Sequence, residues 1–301
     1  MIPLLERLKQ PKALVADGAM GTILIQRGLK EGDIPERFNL EKSEMLEEIA
    51  REYMDAGAEI IQTNTFGASP LKLASFGLAE KTEEINSRAV RAVRKAVSSR
   101  AYVSASCGPS GKLLEPYGDV SADEMSESYL RQMKILIEEG VDAICVETMT
   151  DLNEAVLAIR AAKRVAHSIP VCATMTFDAT PRGFFTIMGV TIEQAVKGLA
   201  EAGADVLGTN CGNGIVNMVN IAREMRKFTS LPLMVQSNAG IPALKNGKLI
   251  YPETPEFMMR YVPELLNLGV KIIGGCCGTT PAHIAMIRRA VDDYYNSAQP
   301  H

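Results

Sequence analysis

Three of the six cysteines stand where a thiol can do chemistry. Cys276 and Cys277 are adjacent inside Gly274-Gly275-Cys276-Cys277-Gly278-Thr279-Thr280-Pro281, and Cys211 is followed directly by Gly212. In a regular strand neighbouring side chains point to opposite faces, so two adjacent thiols could not reach one ion. The flanking glycines lift that restriction, because they admit backbone angles closed to other residues. Three thiolates gathered on one centre suit Zn2+, a borderline-soft ion that prefers tetrahedral sulfur and nitrogen donors. Three protein donors leave a fourth position open, the pattern of a catalytic zinc, and the spacing lacks the close ligand pairs of a zinc finger. Buried filler, a vicinal disulfide and a redox pair remain as other readings of the same residues. Against the last two, Cys-Cys lacks the two-residue spacer of thioredoxin-type motifs, and a vicinal disulfide is strained. Cys107, Cys145 and Cys172 fall inside apolar runs, where a thiol serves as a small hydrophobe.

The donor set also selects a reaction class. Three thiolates cancel the charge of zinc and leave a weak Lewis acid, poorly suited to making hydroxide for hydrolysis. A thiol entering the open position would still lose its proton. The surplus negative charge of four sulfurs would keep it nucleophilic, so the set suits alkyl transfer to sulfur. A module that binds a small amino acid or a metal without chemistry is the competing class, and an open coordination position argues against it.

Positioning these thiols requires a scaffold. Eight short runs rich in Val, Ile, Cys and Thr can be marked off: Ala13–Met20, Ala58–Phe66, Ala101–Pro109, Asp142–Met149, Pro170–Phe177, Asp205–Cys211, Leu231–Gly240 and Val270–Gly278. Continuous apolar runs of this length are expected of strands buried on both faces. Between them lie stretches of helical period, Glu44–Asp55, Asp123–Glu139, Asp151–Ala166, Thr191–Ala202 and Pro281–Tyr295. Gly57, Gly140, Gly203 and Gly269 each stand just before a strand, where a left-handed glycine can end the preceding helix. Strict alternation of β and α units implies a parallel sheet with right-handed crossovers. Eight units favour closure into a single (β/α)8 TIM barrel, with an open doubly wound sheet as the alternative. The expected domain spans residues 1–296, with a frayed tail at 297–301.

Barrel geometry puts the active site at the C-terminal strand ends. Those ends carry Asp17-Gly18-Ala19-Met20-Gly21, Thr63-Asn64-Thr65, Cys107-Gly108-Pro109, Glu147-Thr148, Thr176, Asp178, Asn210-Cys211-Gly212, Asn238 and Cys276-Cys277. Nearly every strand thus ends in something other than core filler, as in an enzyme. The chain of 301 residues is 47% apolar, so it can bury a large core unaided. Its net charge of −4 and lack of a basic cluster exclude nucleic acid as the expected partner. No apolar stretch is long enough to span a membrane, and the N-terminal Met1-Ile2-Pro3-Leu4-Leu5 is too short for a secretory signal, so a cytoplasmic protein is expected.

At these residues the sequence resembles the homocysteine S-methyltransferases, a family that includes the N-terminal domain of cobalamin-dependent methionine synthase. The resemblance covers essentially the whole chain. Its most specific element is Gly274-Gly275-Cys276-Cys277-Gly278-Thr279-Thr280-Pro281-Ala282-His283-Ile284, supported by Asp17–Thr22, Asn64-Thr65-Phe66, Glu147-Thr148, Thr209-Asn210-Cys211 and Asn238-Ala239-Gly240. The stretch Gly108–Pro116 is most similar to the methionine-synthase branch. The resemblance implies that Cys211, Cys276 and Cys277 hold zinc, with the thiol of homocysteine as fourth ligand and Asn238 in that place when substrate is absent. It also implies that Asp17, Glu147 and Thr63 hold the amino-acid part of the substrate, helped by backbone N–H groups near Ala19 and Met20. Acidic side chains suit an ammonium and backbone donors a carboxylate. Considered alone, Asp17 could equally be a turn residue and Glu147 one half of a rim ion pair. One departure stands beside the thiols: Cys211 is followed by Gly212-Asn213-Gly214-Ile215, where methionine synthases carry an Ala-Leu-Gly-Pro-like run, which puts the identity of the thiol in question.

The methyl donor is not written in these residues. The chain contains no Asp-x-His-x-x-Gly corrinoid motif, and His167, His283 and His301 lack its context; His283 reads as a packing or rim residue. Methylcobalamin is therefore expected in trans, on a separate corrinoid protein or domain docked over the barrel mouth, with S-methylmethionine as the small-molecule alternative. Betaine is disfavoured, since a quaternary ammonium needs aromatic faces, the chain has no Trp, and the betaine-using branch has an aromatic where Gly67 stands. The loop 178–190, with Arg182-Gly183-Phe184-Phe185, should lie over the site as a lid or docking surface, or fold back onto the barrel.

Overall fold

A computed structural model describes residues 1–30, 32–245 and 248–297. Eight parallel strands form the centre: β1 (Leu14–Val15), β2 (Ile60–Gln62), β3 (Tyr102–Cys107), β4 (Ala143–Met149), β5 (Val171–Met175), β6 (Val206–Asn210), β7 (Leu233–Ser237) and β8 (Val270–Gly275). Their spatial order is β1-β8-β7-β6-β5-β4-β3-β2, each paired with its sequence neighbour except that β1 lies against β8. A parallel bridge between Ala16 and Ile60 joins the two ends of this order. There the Glu59 N–H donates to the Val15 carbonyl at 2.7 Å and the Asp17 N–H to the Ile60 carbonyl at 3.0 Å. An open sheet would leave those groups unpaired on two edges; the ring is instead a TIM barrel, as the eightfold repeat predicts.

Two apolar layers hold it. Inside the ring, Leu14, Ala16, Ile60, Tyr102, Cys145, Cys172, Met234 and Ile272 pack together, with Leu4 and Leu8 of the helix Leu4–Leu8 added to them. Outside it, alternate strand residues such as Val15, Ile61, Val103, Ile144 and Val235 meet the buried stripes of the surrounding helices. Each such Val or Ile, fully buried, contributes roughly 1.5–3 kcal/mol. The predicted helices appear as Ser43–Asp55, Ala122–Glu138, Leu152–Val165, Ile192–Ala202 and Pro281–Ser297. Ser121, Asp151 and Thr191 cap three of them, Thr191 in a reciprocal box with Gln194. All four joint glycines have positive φ, from 73° to 104°.

The strands are shorter than the apolar runs that predict them, β2 covering three residues of Ala58–Phe66. The residues that follow β2 line the mouth, where side-chain bonds replace the ladder; the Thr63 hydroxyl meets Thr65 Oγ1 at 2.6 Å, and the Thr65 hydroxyl donates to the Ser106 carbonyl at 2.7 Å. The last helix runs to Ser297, so all but the first residue of the expected tail at 297–301 lies outside the described residues. Among the described residues no helix is long and apolar enough to cross a membrane.

Candidate functional site

Cys211 follows the last residue of β6, and Cys276 and Cys277 follow the last residue of β8. Both segments hang on β7 between them: the Cys211 N–H donates to the Gln236 carbonyl at 3.2 Å and the Cys276 N–H to the Ser237 carbonyl at 2.7 Å. The chain leaves extended geometry at Cys276, where the Thr279 N–H closes a turn onto the Cys276 carbonyl at 3.1 Å and Gly278 has φ 82°. That turn lets both neighbouring thiols face the same way. Cys211 itself has φ 61°, a left-handed backbone costing roughly 1–2 kcal/mol for a residue with a Cβ. Strain of this kind persists where a site demands it.

The three ligand atoms lie within 4.8 Å of one another, Cys211 Sγ and Cys277 Sγ at 3.9 Å. Tetrahedral coordination with metal–sulfur bonds of about 2.3 Å calls for sulfurs roughly 3.8 Å apart. The thiols of Cys276 and then Cys277 donate to Cys211 and hold it down as a thiolate, which pushes both donors up. One negative charge with two protons at its side is a set that a thiophilic cation can take over. Asn238 is bonded to Cys211, and its Oδ1 is buried without a partner, an oxygen available beside the cluster. The residues therefore fit a metal ion. None of the three belongs to the apolar core, which sets aside the reading of these thiols as filler.

A cavity of about 440 Å³ opens from the cluster, lined also by Ala19, Met20, Thr63 and Glu147. Glu147 is buried and pushed up to about 7, chiefly by loss of solvent, against bonds from Ser106 Oγ and Gln62 Nε2. Asp17, just outside the lining, is pushed up to about 8 by burial; its Oδ2 accepts from the Gln62 N–H at 2.8 Å and its Oδ1 has no partner. Among the described residues neither carboxyl is paired with a Lys or Arg, so Glu147 is no rim ion pair and Asp17 is more than a turn residue. Two buried acids lacking a cation suit a ligand that brings one. Thr63 lines the cavity with its hydroxyl committed to Thr65 Oγ1 at 2.6 Å. The Ala19 N–H is likewise taken, by Thr279 Oγ1 at 3.2 Å, so the free amides of this segment begin at Met20, the first residue of the helix Met20–Gln26.

Sequence reasoning assigned no role to Gln62, Ser106, Asn210 and Tyr251. The first three are buried or half-buried polar residues in apolar strands, a signal that was legible. Tyr251 gave none: it follows the hairpin of Ala243–Lys245 and Lys248–Ile250 and meets Cys277, and burial together with that contact pushes it up to about 12. The loop after Cys211 is tight: a Cβ on Gly214 would collide with the Glu253 carboxylate, which accepts from the Ile215 N–H at 2.9 Å. His283 is a packing residue as expected. Its Nδ1 accepts from the Thr280 N–H at 3.2 Å and its Nε2 donates to the Glu253 carbonyl at 3.0 Å. The loop 178–190 forms a hairpin in which Phe184 and Phe185 are half-buried, Arg182 standing over the Phe185 ring at 5.9 Å. Its large exposed apolar residues are Ile187 and Met188, while Phe184 packs against the core.

Thiols, acids and cavity at the C-terminal end of a TIM barrel define an enzyme site. The sequence matches the homocysteine S-methyltransferase family over residues 14–291. It is 31% identical over 305 aligned positions to the methionine synthase of Mycobacterium tuberculosis, and equally to that of Mycobacterium leprae, covering 96% of this chain and 25% of each relative. The chain thus spans about a quarter of the length of these curated relatives. Among solved structures it is similar to the homocysteine methyltransferase MmuM from Escherichia coli. The metallated form gives a TM-score of 0.77 at 24% identity over 93% of this chain and 96% of that one. The oxidized form gives 0.75 at 25% identity, over 95% and 97%. The chain belongs to the homocysteine S-methyltransferase family.

Proposed function

We propose that the chain transfers a methyl group from methylcobalamin, carried by a separate corrinoid protein or domain, to the thiol of homocysteine, giving methionine. The observation that carries this reading is that the three-cysteine cluster and Glu147 line one cavity. Cys211, Cys276 and Cys277 would hold Zn2+, a choice supported by their all-sulfur donor set and spacing. When bound there, Zn2+ supplies the means of keeping a substrate thiol ionised and nucleophilic at neutral pH.

The chain's own residues do the rest. Asp17 and Glu147, ionised when an ammonium arrives, receive the amino group, and the amides from Met20 onward face the carboxylate. Thr63 forms part of the wall, and Asn238 offers its unpartnered oxygen to the cluster when substrate is absent. In the transfer the donor–carbon bond breaks as the sulfur–carbon bond forms, and the thiol proton leaves to solvent. Donation in trans is supported by exposed apolar side chains on the loops around the mouth, among them Tyr117 at 81%, Ile187 at 77% and Leu244 at 75% exposure. A betaine-type aromatic at Gly67 would run into the Glu36 carboxylate, 3.2 Å from a Cβ there.

The test is to supply zinc-loaded protein and L-homocysteine with methylcobalamin, free or on a corrinoid protein, or with S-methylmethionine, and to measure methionine by mass spectrometry. Methionine from methylcobalamin is the expected result. Product from S-methylmethionine alone would overturn the donor, and no product from any of them the reaction.

A further inference from the structure

We propose that Asn210 is a positioning residue that fixes the separation between the sulfur cluster and the ammonium acceptor, and so selects homocysteine over the shorter cysteine; this rests on the reading of the site given above. Asn210 is wholly buried at the end of β6, immediately before Cys211. Its amide orientation is unambiguous. The Thr148 backbone N–H can only donate, so the atom 2.8 Å from it is Oδ1, which also accepts from Thr174 Oγ1 at 2.7 Å. Both lone pairs of that oxygen are then used, and Nδ2 must face the other way.

Nδ2 has two hydrogens. One meets Thr148 Oγ1 at 2.7 Å. The other points between Glu147 Oε2 at 3.4 Å and Cys276 Sγ at 3.9 Å. One N–H therefore touches both halves of the site. Asn210 also grips Thr148 at two atoms, its N–H and its hydroxyl, and Thr148 has φ 58°. Three described non-glycine residues have positive φ, and two of them, Thr148 and Cys211, are held by or joined to this one side chain. The ladder between β4 and β5 shifts register between Val146 and Met149, so the strand alone does not set where Glu147 points. Side-chain bonds do: Ser106 and Gln62 hold Oε1, and the amide of Asn210 faces Oε2 on the side toward the sulfur cluster.

A fixed separation discriminates by chain length. Homocysteine and cysteine differ by one methylene between the α-carbon and sulfur. A rigid site can convert one methylene into roughly 10–200-fold selectivity, and a loose one cannot. Groups that orient metal ligands typically change affinity or activity by about 10–100-fold when removed.

The experiment is calorimetric binding of L-homocysteine and L-cysteine to zinc-loaded wild type, Asn210→Ser and Thr174→Val, with zinc retention followed by chelator competition. Wild type should prefer homocysteine. In Asn210→Ser that preference should fall at least about tenfold, and Thr174→Val, which removes one bond to Oδ1, should move it the same way by less. A shift of the sulfur-to-metal charge-transfer band in the Co2+-loaded Asn210→Ser protein should accompany the loss of the N–H to Cys276. If both ligands weaken equally, or the ratio holds while only the melting temperature falls, Asn210 is structural and the proposal is overturned. If Asn210→Ser does not fold, the ratio in Thr174→Val decides. Wild type that binds neither amino thiol would instead overturn the proposed function.

Discussion

Glu147→Gln should stabilise the metal-free protein at pH 8 while weakening its hold on homocysteine. Burial raises Glu147 from 4.5 to about 7, so its folded form keeps a proton that the unfolded chain releases near 4.5. Stability tied to this group is therefore full below about 4.5 and is lost as pH rises through about 7. At 1.36 kcal/mol for each tenfold in proton affinity, the cost of ionising it in the fold is roughly 1 kcal/mol at pH 5 and about 3 kcal/mol at pH 8. Glutamine removes that cost at both pH values, together with packing changes that do not depend on pH. The difference between the two is then clean: the variant should gain about 2 kcal/mol more over wild type at pH 8 than at pH 5. Urea unfolding of metal-free protein at both pH values measures it. For binding, Glu147 Oε1 is occupied by Ser106 and Gln62, while Oε2 has only the 3.4 Å contact from Asn210, so Oε2 is the free acceptor. Losing a charge-assisted bond of about 1.5–3 kcal/mol should raise the Kd for homocysteine roughly 10- to 100-fold. Equal stability changes at pH 5 and pH 8, or unaltered binding, would refute the assignment of Glu147 as a buried acid awaiting a cation.

Cys277→Ser should leave the barrel folded, since Cys277 lies outside both apolar layers, yet lower zinc affinity by roughly a thousandfold, one third of the about 12 kcal/mol typical of such sites; circular dichroism and chelator competition follow the two. Gly278→Ala forces a Cβ within 2.1 Å of the Tyr251 ring at a backbone φ of 82°, and should cost zinc affinity about 10- to 100-fold through displacement of Tyr251 from Cys277. Ile187→Ser combined with Met188→Ser should slow methyl transfer from a corrinoid protein at least about tenfold, one well-packed contact's worth, while leaving zinc and homocysteine binding as in wild type.

The scaffold was legible because its signals are local. Each strand lies in a short, largely apolar run, and Gly57, Gly140, Gly203 and Gly269 mark four helix ends by composition alone. The convergence of Cys211 with Cys276 and Cys277 followed from barrel geometry, since β6 and β8 flank β7. What stayed hidden depends on register and side-chain rotation across strands. Gln62 on β2, Glu147 on β4, Asn210 on β6 and Gln236 on β7 form one polar chain across the barrel, from Gln236 Nε2 to Gln62 Oε1 at 3.5 Å and on to Glu147. No spacing in the sequence encodes that meeting. For the loop 178–190 the sequence left a lid or docking surface and a fold back onto the barrel both open, because adjacent aromatics in a loop carry no period from which to read which way each one faces.

The central claim is a three-thiolate metal centre with a position open to the substrate thiol, and zinc X-ray absorption with and without L-homocysteine tests it most directly. The shell should change from three sulfurs and one lighter atom to four sulfurs when homocysteine is added. Fully metal-loaded protein with no zinc–sulfur shell, or a shell that homocysteine leaves unaltered, would contradict it.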